Sequence, residues 1–182
     1  MASTAAPGRL EFVRGFINTV ELERTSDPLG RADALPLWCD RTGLCPRAGD
    51  AALDVLRGFR EALRGVLESN CGGADAAARW QALEPYAARA CYSMCIMPGG
   101  GPALRPQGSG AGEAIAALLA IVYDAARDGT WSRLKSCRKP SCRWAFYDRS
   151  KNGSGAWCDM RVCGNRSKAQ RRRAREKSHE KA

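Results

Sequence analysis

Four cysteines near the end of the chain restrict its fold more than any other feature. Cys137, Cys142, Cys158 and Cys163 fall in the pattern C-x4-C-x15-C-x4-C. Two short pairs with a longer insert between them is the arithmetic of a four-thiolate zinc site: each pair curls round the metal and the insert brings the chain back. The insert, "RWAFYDRSKNGSGAW", carries Trp144, Phe146 and Tyr147, then the turn signal around Asn152-Gly153, then Trp157. It reads as a two-stranded hairpin bent at Asn152-Gly153, with its aromatics filling a small core. A hairpin of that size does not stand alone in water. One structural Zn2+, worth about 10–16 kcal/mol in such sites, supplies what the missing core does not. A catalytic zinc keeps an open position and often uses histidine. The single histidine is His179, in the tail, so a closed site is the expectation.

The charge is placed unevenly. Residues 131–182 hold 16 Lys and Arg against 4 Asp and Glu, while residues 1–130 hold 13 against 15. A near-balanced body followed by a strongly basic end points to a polyanionic partner for that end. After Cys163, residues 163–177 are mostly good helix formers. At 100° per residue, Arg166, Gln170, Arg173 and Lys177 fall on one side, and Lys168, Arg172 and Arg175, with Arg171 nearby, on the other. No large apolar residue follows Val162, so this helix has no face to bury. Two basic stripes suit an element between phosphate walls, and Arg, Asn165 or Gln170 are side chains that read base edges. Lys151 and Asn152 at the hairpin tip are further candidate contacts. DNA is the expected partner. RNA, with the finger's aromatics stacking on bases, is the alternative.

Upstream, apolar periodicity predicts helices. Leu10, Phe12, Val13, Phe16, Ile17 and Val20 mark one over 9–20. Residues 32–43 read as a short one. Leu53, Leu56, Phe59, Leu63 and Val66 mark one over 50–69 that opens at Asp50. Residues 75–96 read as another, with Trp80, Leu83, Ala87, Ala90 and Met94 on one side and Pro85 as a kink. "PGGGPALRPQGSGAG", 98–112, is a loop or a short hairpin. Ile115, Leu118, Leu119 and Val122, with Ile121 beside them, mark a helix over 113–128. Because that stripe must bury against the earlier helices, the domain boundary is set near residue 130. This gives a body at 1–130, a finger with a basic helix at 131–177 and a tail at 178–182.

Cys91 and Cys95 would share a face of the predicted 75–96 helix. They are read as small buried hydrophobes ahead of a redox pair or a second metal site. Asn18 and Thr19 are a candidate ligand pocket, although ending the first helix is the preferred reading. Trp38 and Trp80 are expected in the core. There is no Ser-His-Asp set, paired carboxylate motif or phosphate loop, so the chain is not expected to be an enzyme. The N-terminus does not read as a secretory signal and no apolar run reaches membrane length, so the cytoplasm, away from membranes, is the expected location.

The stretch "CRKPSCRWAFYDRSKNGSGAWCDMRVCGNRSKAQRRRARE" resembles the CGNR zinc finger, named for Cys163-Gly164-Asn165-Arg166. "FINTVELERTSDPL…LPLW", residues 16–38, is similar to the start of the ABATE domain usually found upstream of that finger. Together the resemblances cover most of the chain. They imply an α+β fold, predominantly α: a helical N-terminal domain, then a small treble-clef-like four-cysteine finger with a hairpin and a basic C-terminal helix. They imply a bacterial, stress-linked, DNA-binding transcription regulator whose upstream domain senses an unidentified ligand. The alternative is an RNA- or ribosome-associated zinc-binding module. A homodimer is compatible with either.

Overall fold

The computed structural model describes residues 5–23, 27–30, 50–170 and 172. The predicted helix at 32–43, with Trp38 and Cys39, lies outside the described residues. So do Cys45, Arg171, Arg173, Arg175, Lys177 and the 178–182 tail.

Three helices build the core. They are α1 (Leu10–Ile17), α2 (Asp50–Ser69) and, after two short helices, α5 (Gly110–Arg127). The apolar stripes close on one another as their spacing requires. Leu10, Val13, Phe16 and Ile17 of α1 meet Leu53, Leu56, Phe59, Leu63 and Val66 of α2, and Ile115, Leu118, Ile121 and Val122 of α5. The Phe16 and Phe59 rings stand 5.8 Å apart, and Phe59 and Tyr86 5.5 Å apart. Gly58 is where Tyr86 comes closest: a Cβ there would sit 2.4 Å from the phenol oxygen. The core does not stop at residue 130, because Trp131, Leu134 and Ala145 belong to the same buried cluster.

The helix expected over 75–96 is corrected. Helix α3 covers Ala76–Gln81 and α4 only Glu84–Ala87, with Pro85 in its first turn, where a missing N–H costs nothing. Residues Cys91–Ile96 then form strand β1, antiparallel to β2 (Pro102–Gln107). The glycine-rich tip makes this possible: Gly100 and Gly101 adopt φ of +86° and +91° and fold the chain back. Residues 98–107 are therefore a hairpin turn and its return strand, and 110–112 already open α5. Trp80, expected inside, is 40% exposed and packs on Trp131 with the rings tilted by 50°.

The second sheet is β3 (Leu134–Ser136) with β4 (Ala145–Tyr147), antiparallel. This corrects the predicted hairpin. Strand β4 pairs with the residues before the first cysteine pair, not with the residues after Asn152-Gly153, which only turn. The physical reason is that Cys137-x4-Cys142 is itself the tight connection between β3 and β4. Among the described residues no helix is long and apolar enough to cross a membrane.

Candidate metal centre and basic helix

Cys137 and Cys142 stand at the two ends of the β3–β4 connection. Cys137 N–H donates to Trp144 O at 2.9 Å, closing the hairpin. Cys142 N–H and Arg143 N–H both donate to Lys139 O, at 2.9 and 3.1 Å, which curls the four residues between the cysteines into a turn. Arg143 leaves that turn at φ +48°, a strained conformation for a residue with a side chain. It is held there from both ends. Its carbonyl accepts from Arg64 Nη1 at 2.6 Å, and its guanidinium grips Glu68 through Nε at 2.8 Å and Nη2 at 2.7 Å.

The other pair lies on a helix start. Met160–Gly164 is one π-turn, continued by α-helix over 165–170. The helix so begins three residues before the expected 163. Asp159 caps it, its carboxylate accepting from Arg161 N at 2.7 Å and Val162 N at 3.1 Å. The wide turn comes from Gly164 N–H, which reaches back to Asp159 O at 3.2 Å. A Cβ on Gly164 would lie 2.4 Å from Met160 Sδ and 3.3 Å from Trp157 Cδ1, so the bare backbone lets those side chains close over the turn.

Together the two pairs place four Sγ atoms within 4.8 Å of one another. Tetrahedral bonds of about 2.3 Å from one metal ion set sulfur atoms roughly 3.8 Å apart. Cys142 to Cys158 and Cys158 to Cys163 are each 3.7 Å. That is far beyond the ~2.0 Å of a disulfide. Four thiols this close cannot all ionise unaided. Hydrogen bonds from the Cys142 and Cys158 thiols favour the thiolate of Cys137, whose pKa falls to about 2. Cys137 in turn pushes Cys142 up to about 12 and raises Cys158, while burial and the Cys137 charge raise Cys163. A dication at the centre is the group that removes this conflict. The donor set, spacing and protonation pattern all fit a closed four-cysteine metal-binding site.

The site is tied to its surroundings by buried polar contacts that spacing did not reveal. Lys135 and Asp148, 5% and 3% exposed, form an ion pair at 2.8 Å. Burial alone would push the Asp148 carboxyl up. Hydrogen bonds from Lys135 Nζ, Ser150 N and Gly155 N outweigh it and hold the group well below the carboxylate range. Lys135 Nζ also donates to Gly153 O, so this pair pins the Asn152-Gly153 turn to β3. Arg64 is fully buried and donates to Ile17 O and Arg143 O, each at 2.6 Å. The sequence signal for Arg60 and Arg64 was their i,i+4 spacing beside the α2 stripe. Glu23 reaches the cysteine turn from the body, accepting from Lys139 Nζ and from Ser141 Oγ at 3.3 Å.

Asn18 and Thr19 are engaged in the same way. Asn18 Nδ2 donates to Ala145 O and its Oδ1 accepts from Ala145 N, both at 2.8 Å. Thr19 Oγ1 donates to Phe16 O at 2.8 Å and accepts from Arg60 Nη1 at 3.0 Å. They end α1, Asn18 fastening it to β4 and Thr19 to Arg60 of α2. A cleft of about 520 Å³ lies elsewhere, between the end of α2 and the first cysteine turn, lined by Glu68, Cys71, Gly73, Arg138, Pro140 and Arg143.

On the helix, Asn165, Arg166, Lys168, Gln170 and Arg172 are all exposed, as are Lys151 and Asn152 at the turn. Phe146 is buried, and Trp144, Tyr147 and Trp157 are half-buried. Cys91 and Cys95 do share a face, but of a strand. Four residues at ~3.3 Å per residue put them roughly 13 Å apart, beyond one disulfide or one metal ion. Cys91 is exposed and Cys95 half-buried, so the expectation of two buried hydrophobes is corrected.

The comparisons agree with the geometry. A family model for the CGNR zinc finger matches residues 133–176. The ABATE model, described as "Putative stress-induced transcription regulator", matches residues 12–128. No curated protein matches the chain.

Proposed function

Because the chain belongs to the ABATE family and carries a CGNR zinc finger, we propose that it is a non-enzymatic, DNA-binding transcription regulator of the bacterial cytoplasm. One structural Zn2+ on Cys137, Cys142, Cys158 and Cys163 closes a treble-clef-like finger, and the basic helix contacts the duplex. The body, 1–130, and the finger, 131–177, act as sensing and binding halves.

The observation that carries this reading is the start of the helix. Cys163 and Gly164 are buried at the metal-binding cluster, while every polar residue from Asn165 to Gln170 other than Ser167 stands exposed. A helix anchored at one end, without an apolar face, presents its cations to a polyanion. Asp159 already occupies the first free N–H groups of the turn. Phosphates therefore meet side chains: Arg166 with Gln170 on one stripe, Lys168 with Arg172 on the other. Asn165, Gln170 and the arginines are the candidate base readers. The cleft between α2 and the cysteine turn supports ligand sensing, because a molecule held there touches body and finger together. Asn18 and Thr19 have no part in it, being committed to β4 and Arg60.

Fluorescence anisotropy of the zinc-loaded chain on duplex DNA, across a salt series, is the test. Binding should weaken with a log–log slope of about −0.9 per phosphate contacted. Arg166→Ala and Lys168→Ala should each flatten that slope by roughly one contact. Absence of duplex binding at low salt sinks the reading, and preference for RNA of matched length replaces it with the RNA-associated module.

A further inference from the structure

The β1–β2 hairpin has two outer edges of opposite chemistry. Met97 N–H donates to Gly101 O at 3.0 Å, and the register pairs Cys95 with Ala103, Ser93 with Arg105 and Cys91 with Gln107. Hydrogen-bonded and non-hydrogen-bonded pairs alternate in an antiparallel ladder. Tyr92, Met94 and Ile96 of β1, and Pro102, Leu104 and Pro106 of β2, therefore turn their backbone groups outward. On β2, two of those three positions are prolines without an N–H, which closes that edge to another strand. On β1, all three positions carry an N–H, and no hydrogen bond reaches them among the described residues.

The same six residues share one face, and all six are apolar. The base of that face rests on α5, where the Tyr92 hydroxyl donates to Ala116 O at 3.0 Å. The tip does not: Met94 is 74% and Ile96 72% exposed. A long, open, apolar strand edge is a docking template, and two strands alone make a marginal sheet.

We propose that two copies of this chain pair antiparallel through β1, forming a four-stranded sheet in the order β2–β1–β1–β2 about a twofold axis. An antiparallel strand edge is complementary to itself under that symmetry. The register that uses every outward group sets Met94 opposite its own counterpart and Tyr92 opposite the second copy's Ile96. Strand β1 has no charged residue, so no like charges meet. The near-balanced body, 13 Lys and Arg against 15 Asp and Glu, lets two copies approach, whereas the basic end repels its own kind. The pairing holds whether or not the finger binds nucleic acid.

Light scattering behind size exclusion, on the metal-loaded full chain without DNA, should give twice 19.7 kDa. Met94→Pro repeats on β1 what Pro102 and Pro106 do on β2. It removes an outward N–H, leaves the ladder within the hairpin intact, and should give a monomer with unchanged circular dichroism and metal content. A second set of variants stands independent of how that proline folds. Met94→Lys and Met94→Glu should each be monomeric, and an equimolar mixture should form a mixed dimer, because position 94 faces itself across the axis. A monomeric wild type overturns the proposal, including one whose Tyr92, Met94 and Ile96 amides resist hydrogen exchange because residues 31–49 cover the edge. A dimer that survives Met94→Pro overturns it too, as does a Lys/Glu mixture that stays monomeric.

Discussion

The molecule contains two small antiparallel hairpins, and their edges are managed in opposite ways. In β3–β4 side chains of the body take four of the outward backbone groups. Leu134 O accepts from Asn70 Nδ2 at 2.9 Å, and Ser136 O accepts from the Cys71 thiol at 3.1 Å. Ala145 gives and receives through Asn18, whose amide behaves like one residue of a third strand. In β1–β2 one edge is blunted by prolines and the other is left bare. A three-residue pairing this short is marginal by itself. It persists because the four-cysteine site and several body side chains flank it. The longer hairpin is tied to α5 at its base, through the Tyr92 hydroxyl on Ala116 O, and keeps its apolar tip in solvent. One hairpin is finished within the chain, and the other keeps the bare edge through which we propose that a second copy pairs.

The comparison breaks most sharply at the metal. Chelation, or Cys158→Ser, should unfold β3, β4 and the helix start, with loss on the order of the ~10 kcal/mol that structural zinc supplies. Hydrogen exchange should show amides of Cys137 and Cys163 losing protection while β1–β2 amides keep theirs. Equal loss in both hairpins would mean that the first also depends on the metal.

Next in size is the buried pair. Asp148→Asn leaves the Lys135 ammonium buried without its counter-charge and should cost about 3–5 kcal/mol in urea unfolding at neutral pH. The pH dependence has a defined sign. Asp148 titrates lower in the folded chain than in the unfolded one, so its contribution is complete above about pH 4. It fades as pH falls through the folded value. The gap between wild type and variant should therefore be widest at neutral pH and narrow toward acid. A gap that widens in acid would refute the assignment.

Asn18→Ala should cost about 1–3 kcal/mol by stranding the N–H and C=O of Ala145. Asn18→Asp would recover the acceptor and not the donor, and should fall between the two in thermal melts. The smallest effect belongs to the open hairpin. Cys91→Ala with Cys95→Ala should stay within about 0.5 kcal/mol of wild type, because neither thiol is buried or paired with the other. A larger loss, or loss of biological function, would restore a role for the thiols.

How much could be read beforehand follows the range of each interaction. The α2 and α5 stripes announce their helices because the residues that bury together are three or four apart. The four-cysteine site is legible for the same reason: each ligand pair is defined by its own local spacing. Strand β1 is not. "ACYSMCI" fits a helical pattern as well as an alternating one, and what decides is the return of 102–107 behind a glycine turn. The hairpin placed at Asn152-Gly153 failed similarly, since the turn signal is local but the partner of β4 is not.

The sequence by itself therefore determined helices α1, α2 and α5, the four-cysteine site and the concentration of positive charge behind it. Each depends on the kind and local spacing of residues. Only the tertiary structure decided that Asn18 would serve β4 across 127 positions, that Arg64 would be buried against Ile17 and Arg143, and that β1 would be a strand with one open edge. Those outcomes depend on which surfaces meet, and a buried polar group acquires its partner only once packing has excluded water.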